Sequence, residues 1–368
     1  MFVLLLIPFN VFALADNAKS SILMEYNTKS VLYENNADEK RAPASMTKMM
    51  SLILIFEALD DNRISLDDNV LVSKNASSMG GSQIYLETGS VIRLEELIKS
   101  VAVASANDAI TALAEHTFGS IDKFVEEMNK KAKELGLKNT VFKNVHGLDA
   151  EGHYSTSRDM ALIACELIKH EDIFKYSSIY EDYIKHPNGK EIWIVNTNKL
   201  INYYKGLDGL KTGYTDNGGY SLTATAKRGD MRLISVVMGE EDNNIRNDDT
   251  VELLNYGFSN YKINSLFKTG DIVGNSKVFF GKFDKIDLVV NEDIYQVSSV
   301  LDNRKYDYKL EVGMLKAPLL KTDKVGNLSV SSNGVLINKY PVYVKFDILK
   351  SSFFDYFITN IKRLLGGY

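Results

Sequence analysis

The sequence predicts an α+β fold in which an antiparallel sheet combines with a helical subdomain, followed by a small all-β, sandwich-like domain and a C-terminal amphipathic helix. Three observations predict it. Apolar residues recur at helical spacing through the middle of the chain, strand-like runs flank that block, and beyond about residue 263 short strand-like runs recur between turns.

Residues 1–15 form an apolar run too short to span a bilayer, closing on Ala13-Leu14-Ala15, the small-residue pattern of a signal cleavage site. The expectation is an exported protein, with a buried strand or helix as the alternative reading of the segment. Ser21-Ile22-Leu23-Met24-Glu25-Tyr26 and Ser30-Val31-Leu32-Tyr33-Glu34, separated by Asn27-Thr28-Lys29, predict a hairpin. Pro43 stands where prolines open helices. Met46, Met49, Met50, Leu52, Ile53, Ile55, Phe56 and Leu59 then predict a helix apolar on nearly all sides, which belongs in the interior. Ser45 falls at its N-terminal end, where free N–H groups and the helix dipole favour negative charge.

Leu94, Leu97, Ile98 and Val101 predict an amphipathic helix, and a second runs through Ala114, with Ser105 and Asn107 in the short link between them. Residues 121–135 read as a charged amphipathic helix and residues 146–154 as a loop. Thr156 or Ser157 caps a helix carrying Met160, Ile163, Ala164 and Leu167. From Trp193 the pattern turns to strands: 206–215, then 220–226 and 232–238 joined by Lys227-Arg228-Gly229-Asp230. Leu253, Leu254 and Phe258 close this first domain, 16–262, with a helix. The all-β domain, 263–348, rests on runs such as 277–280, 286–290, 308–312 and 342–346. In the tail, 349–368, Phe353, Phe354, Phe357, Ile358, Ile361, Leu364 and Leu365 share one helical face opposite Asp355, Thr359, Asn360, Lys362 and Arg363. Such a helix lies in a membrane interface, or packs on protein.

The 368 residues, 45% hydrophobic and 25% charged, describe an ordinary globular protein of two or more domains. A net charge of −5 without a basic tract argues against nucleic acid. The one cysteine, Cys165, excludes an intramolecular disulfide and sits in an apolar helical pattern. His116, His146, His153, His170 and His186 lack zinc-ligand spacing, so neither a metal nor a cofactor is expected, and His146 reads as a loop hydrogen-bonder. The tyrosines between Tyr176 and Tyr183 read as packing, with glycan stacking as the alternative.

Ser45 and Lys48, three apart, would be neighbours on a helix, so the amine could serve the hydroxyl as its base. The spacing alone means little, because Ser120/Lys123, Ser259/Lys262 and Ser265/Lys268 share it. Ser-x-Asn recurs at Ser331/Asn333 and Lys-Thr-Gly at Lys268-Thr269-Gly270. Lys268 cannot serve both as the base of Ser265 and as the lysine of its own Lys-Thr-Gly. Only Ser45, Ser105 and Lys211 form an ordered set at a helix start, an inter-helix link and a strand.

That set resembles the penicillin-binding proteins and serine β-lactamases. It is most similar to exported D-alanyl-D-alanine carboxypeptidases, the low-molecular-mass penicillin-binding proteins. The shared text is Pro43-Ala44-Ser45-Met46-Thr47-Lys48-Met49, Ser105-Ala106-Asn107-Asp108-Ala109, His146-Gly147-Leu148-Asp149-Ala150, Ser157-Arg158-Asp159-Met160-Ala161, Asp208-Gly209-Leu210-Lys211-Thr212-Gly213 and the run 229–236. The resemblance implies removal of the terminal D-alanine from peptidoglycan stem pentapeptides through an acyl-enzyme on Ser45, acylation by β-lactams, and a place on the outer face of the cytoplasmic membrane. A β-lactamase and a non-catalytic β-lactam sensor or wall-binding protein are the alternatives.

A lysine acts as a base only if its pKa falls, which burial and a second ammonium both promote. Lys48 is therefore expected to take the Ser45 proton, with Lys211 supplying the like charge. Ser105, alone or with Lys211, would relay the proton to the leaving amine, and Asn107 would hydrogen-bond the substrate amide. The backbone N–H groups of Ser45 and Tyr214 would hold the oxyanion, as the resemblance implies. Tyr214 departs from the histidine often found there. Lys211, Thr212 and Gly213, with Tyr214 and Arg246, are the substrate-binding candidates, Lys211, Thr212 and Arg246 for its terminal carboxylate.

Overall fold

A computed structural model describes residues 14–15, 17–186, 188–283, 285–352, 357 and 361. Residues 1–13 of the expected signal segment, 1–15, and most of the tail, 349–368, lie outside the described residues. The chain divides into two compact units, one up to Ser259 and one from Asn260.

The first unit is built on a five-stranded sheet. Strands β1 (Ser20–Glu25) and β2 (Val31–Asn35) form the predicted hairpin. After α1 (Lys48–Asp60) come β3 (Asn69–Leu71), α2 (Lys74–Ser77) and β4 (Val91–Arg93), then the helices α3 (Leu94–Ala104), α4 (Asn107–Phe118), α5 (Ile121–Glu134), α6 (Ser157–Leu167) and α7 (Phe174–Ser177). A hairpin of β5 (Glu181–Lys185) and β6 (Glu191–Val195) leads to β7 (Leu207–Thr215), β8 (Gly219–Arg228), β9 (Met231–Glu240) and α8 (Asn243–Asn260). The sheet order is β2-β1-β9-β8-β7, antiparallel throughout, with β7 at an edge.

Both faces of that sheet are covered, which is why every residue of β9 is buried. Ile22, Met24, Ile234, Val236 and Met238 join the core formed with α1, α3, α4 and α6. On the other face α8 comes so close that a Cβ on Gly257 would sit 2.5 Å from Leu233 and 2.9 Å from Leu23. Met49 through Ile55 of α1 are at most 4% exposed, as a helix apolar on all sides requires. Cys165 is a buried thiol, pushed up to about 12 chiefly by burial. Thr156, rather than Ser157, caps α6: its Oγ1 accepts from Asp159 N at 3.1 Å.

The second unit is all β. A two-stranded sheet pairs β10 (Tyr261–Phe267) with β13 (Ile294–Ser299). A six-stranded sheet has the order β14-β16-β17-β12-β11-β15, from β11 (Ile272–Phe279), β12 (Lys285–Val289), β14 (Asp307–Val312), β15 (Leu315–Lys316), β16 (Lys324–Ser332) and β17 (Val335–Val344). Both sheets contribute to one core containing Val278, Leu288, Ile294, Leu328 and Val342, with Phe267 packed against it. Among the described residues no helix is long and apolar enough to cross a membrane.

Candidate active site

Ser45 stands on a short 3-10 turn, Ala44–Thr47, and the regular helix starts only at Lys48. The reason is Ala44, whose φ of +47° lies outside the helical region. The turn is pressed from two sides by glycines. A Cβ on Gly147, itself at φ +90°, would fall 1.8 Å from Ala44 O, and one on Gly213 would fall 2.9 Å from Pro43 O. Those glycines let the 146–154 loop and strand β7 close on the serine.

Lys48 Nζ donates to Ser45 Oγ and to the His146 carbonyl, each at 2.8 Å. It is fully buried and has no carboxylate among its hydrogen-bond partners. Its pKa is held well below the ordinary lysine range, by burial first and the Lys211 charge second, with Asp108 opposing. Lys211 is 2% exposed, and its Nζ donates to Thr212 O at 3.2 Å. Burial, and then the Arg246 charge, bring Lys211 down to about 7.

Ser105 caps the end of α3 at φ +62°, and Asn107 opens α4, so their link is two residues long. Asn107 Nδ2 donates to Gly80 O at 2.7 Å and its N–H to Ser82 O at 2.6 Å. Ser105 Oγ and Asn107 Oδ1 are buried without a protein hydrogen-bond partner among the described residues, an arrangement that suits polar groups awaiting a ligand. Asp108 stays inside, accepting from Ile84 N, Leu86 N and Ala109 N. It thereby ties the 80–86 segment to α4.

Ser45, Ser105, Asn107, Thr212, Gly213, Tyr214 and Arg246 line one cleft of about 600 Å³. Thr212 Oγ1 donates to Thr197 Oγ1 at 2.8 Å, and the half-exposed Tyr214 stacks on Tyr220 at 4.4 Å. Arg246, placed by sequence only through its position after a strand, lies on α8, 5% exposed. Its Nε and Nη2 both donate to Asn247 Oδ1, leaving the guanidinium without an acidic hydrogen-bond partner. No carboxylate lines the cleft among the described residues. Sequence reasoning missed Thr197, the 80–86 segment, the anchoring role of Asp108 and the Ala44–Gly147 contact. Only Asp108 carried a signal, as an acid at the start of an apolar helix.

The other Ser-x-x-Lys pairs have structural duties or none in common. Ser120 caps α5, its Oγ accepting from Lys123 N at 3.3 Å. Ser259 and Lys262 fall on different elements. Lys268 Nζ is bound to Asp293 at 3.0 Å and to the Tyr295 hydroxyl, contacts that push its pKa up. His146 Nδ1 accepts from Leu148 N at 3.1 Å and His153 links Thr47 to Lys143 N, so both act as loop hydrogen-bonders. Burial first brings each down to about 4.

The family described as D-alanyl-D-alanine carboxypeptidase matches residues 9–242, and that described as penicillin-binding protein 5, C-terminal domain, matches residues 261–350. D-alanyl-D-alanine carboxypeptidase DacF of Bacillus subtilis is 45% identical over 96% of this chain and 91% of its own length. DacA of Escherichia coli K12 is 38% identical over 95% and 88%. The crystal structure of penicillin-binding protein 5 from Haemophilus influenzae superposes with a TM-score of 0.79 at 32% identity, covering 91% of this chain and 98% of that one. Penicillin-binding protein D2 of Listeria monocytogenes, solved in an ampicillin-bound form, gives 0.60 at 32% identity, covering 67% and 99%.

Proposed function

Because this chain belongs to the D-alanyl-D-alanine carboxypeptidase family, we propose that Ser45 is its nucleophile and Lys48 the base that activates it. The chain is a serine-type D-Ala-D-Ala carboxypeptidase, a hydrolase of the penicillin-binding protein family. The observation that carries the assignment of roles is the 2.8 Å contact between Ser45 Oγ and a fully buried lysine without a carboxylate in hydrogen-bond contact.

Substrate enters as an extended strand along the free edge of β7, where main-chain pairing and the Asn107 Oδ1 acceptor hold its amide groups. Ser45 Oγ attacks the carbonyl of the penultimate D-alanine while Lys48 Nζ takes the hydroxyl proton. The developing oxyanion is held by the N–H groups of Ser45 and Tyr214. Such donors are usually worth about 3 to 4 kcal/mol each. Ser105, alone or with Lys211, relays the proton gained by Lys48 to the leaving amine, so that Lys48 is neutral again as the C–N bond breaks and D-alanine departs. Lys211, Thr212 and Arg246 bind its carboxylate, with Gly213 giving the close approach. Water then hydrolyses the ester on Ser45.

Catalysis is assigned to residues 16–262, with 263–348 as the β domain. Export to the outer face of the cytoplasmic membrane, directed by residues 1–15, fits a stem-peptide substrate in the cell wall. The tail is assigned to the membrane surface because the spacing of its apolar residues in the sequence is that of one helical face. Phe357 and Ile361 are helical and exposed. Among the described residues no carboxylate lines the cleft to activate a deacylating water, which disfavours a fast-deacylating β-lactamase.

Mass spectrometry after penicillin treatment tests the nucleophile: the covalent adduct should vanish in Ser45→Ala, and an adduct that survives overturns the assignment. Release of D-alanine from a pentapeptide separates the enzyme from a non-catalytic sensor, which would bind penicillin and release none.

A further inference from the structure

Beside Thr212 the cleft is lined by a second hydroxyl, that of Thr197, which lies between β6 and the 3-10 turn Lys199–Asn202. The fold anchors this segment on both sides of the threonine. Thr197 N donates to Val103 O of α3 at 3.2 Å. Asn196 Nδ2 donates to Ser177 O at 3.1 Å and to Ile179 O at 2.8 Å. Asn198 Nδ2 donates to Gly209 O of β7 at 3.3 Å, and its Oδ1 accepts from Leu200 N at 3.2 Å. Both asparagines are 1% exposed. With the backbone so held, the freedom that remains at Thr197 is chiefly the rotation of its hydroxyl.

Thr212 Oγ1 donates to Thr197 Oγ1 at 2.8 Å, and Thr197 makes no other side-chain hydrogen bond among the described residues. A hydroxyl carries one proton, and a carboxylate can only accept. Thr212 therefore cannot donate to a substrate carboxylate while its proton is directed at Thr197. Turning that proton into the cleft leaves the 2.8 Å contact without a donor unless Thr197 turns its own proton towards Thr212. We propose that Thr197 is a positioning residue that makes this reversal, accepting from Thr212 in the empty cleft and donating to it once the terminal carboxylate of the peptide is bound. The proposal rests on the reading that Thr212 binds that carboxylate.

Rotation about the two C–O bonds accomplishes the reversal without a shift of β6 or β7. Thr197, Thr212 and the carboxylate then form one directed chain, in which each hydrogen bond polarises the next and strengthens the last, to the anion. Because the segment is already anchored, little ordering is left for the moment of binding. A leaving group without a carboxylate does not draw the Thr212 proton away, and the hydroxyls keep their resting order. The chain thus favours peptides that end in a free carboxylate.

The test measures kcat and KM for an acyl-D-Ala-D-Ala peptide and for an acyl-D-alanine methyl ester, whose leaving group carries no carboxylate. Thr197→Val keeps the shape of the side chain and removes its hydroxyl. It should raise KM for the peptide about five-fold with kcat moving less, the effect of one ordinary hydrogen bond made alike in the ground and transition states. The methyl ester should react as it does with wild type. Thr197→Ser, which restores the hydroxyl, should return the peptide KM to the wild-type value. An unchanged peptide KM in Thr197→Val, or an equal loss on peptide and ester, overturns the proposal. If Thr197→Val does not fold, Thr197→Ala carries the same comparison.

Thr212→Val separates the proposal from the reading beneath it. A residue that acts through Thr212 has nothing left to position once Thr212 has lost its hydroxyl, so the double variant Thr197→Val/Thr212→Val should match Thr212→Val alone. Losses that add in full overturn the proposal. A peptide KM unchanged in Thr212→Val overturns the role of Thr212 itself, whereas a KM raised in Thr212→Val and not in Thr197→Val overturns the positioning role alone.

Discussion

Replacing Lys211 with Met removes an amine that is 2% exposed and has no carboxylate in hydrogen-bond contact. Burial, followed by the Arg246 charge, takes it from the ordinary 10.5 to about 7. The unfolded chain keeps the ordinary value. Between about pH 7 and 10.5 the unfolded state therefore binds a proton that the folded state does not, and stability rises with pH across that window. A fall of about three and a half pH units, at about 1.4 kcal/mol each, is a penalty of about 5 kcal/mol at and below pH 7. Met has similar length and forfeits only the 3.2 Å bond to Thr212 O, worth about 1 kcal/mol. Lys211→Met should thus unfold in urea with about 3 to 4 kcal/mol more stability at pH 7, a gain that fades towards pH 10.5. Acylation by penicillin should slow by about a hundredfold, since Lys48 loses its neighbouring charge and the substrate loses a cation. A variant no more stable than wild type at pH 7, or a gain that does not shrink with pH, refutes the desolvated amine.

Three further perturbations probe different links. Gly147→Ala would drive a Cβ to 1.8 Å from Ala44 O at a φ of +90°, so it should cost about 3 kcal/mol in denaturant unfolding and slow penicillin acylation, because the displaced carbonyl adjoins Ser45. Ser120→Ala should cost only the helix cap, about 1 kcal/mol, and leave the acylation rate unchanged. His146 and His153 are lowered in the folded state, so from pH 6.5 down to about 4 the unfolded chain takes up protons that the folded chain refuses, and urea midpoints should fall. His153→Gln should make that acid decline shallower.

Much of the fold was legible because it is written in local periodicity. The uninterrupted apolar run of α1 announced a buried helix, and the alternation around Lys227-Arg228-Gly229-Asp230 announced β8 and β9. The start of α1 was misjudged by a few residues because its cause is remote: Gly147, a hundred residues on, accommodates the Ala44 carbonyl. Arg246 was named from its place after a strand, but its burial was not legible, for a similar reason. Its burial follows from α8 packing on β1 and β9, and nothing beside it in sequence distinguishes it from a solvated arginine. Thr197 and the 80–86 segment enter the site only through bonds to Thr212, Asn107 and Asp108, contacts that no local pattern encodes.

The four Ser-x-x-Lys pairs show what turns a spacing into a reactive group. Ser120 and Lys123 lie on one helical turn, but the hydroxyl is occupied in capping the backbone. Lys268 has an acid and a phenol within reach, and these hold its proton more tightly than water does. Lys48 differs in what surrounds it. Its amine meets a hydroxyl and a carbonyl, neither able to neutralise a cation, while burial and the Lys211 charge lower its pKa. Burial and the like charge both penalise the charged form of an amine so placed, and a neutral amine can accept a proton. A carboxylate introduced in hydrogen-bond reach of Lys48 would restore its charge and silence Ser45 while leaving the motif intact. The chemistry therefore resides in the partners the fold withholds from the lysine as much as in those it supplies.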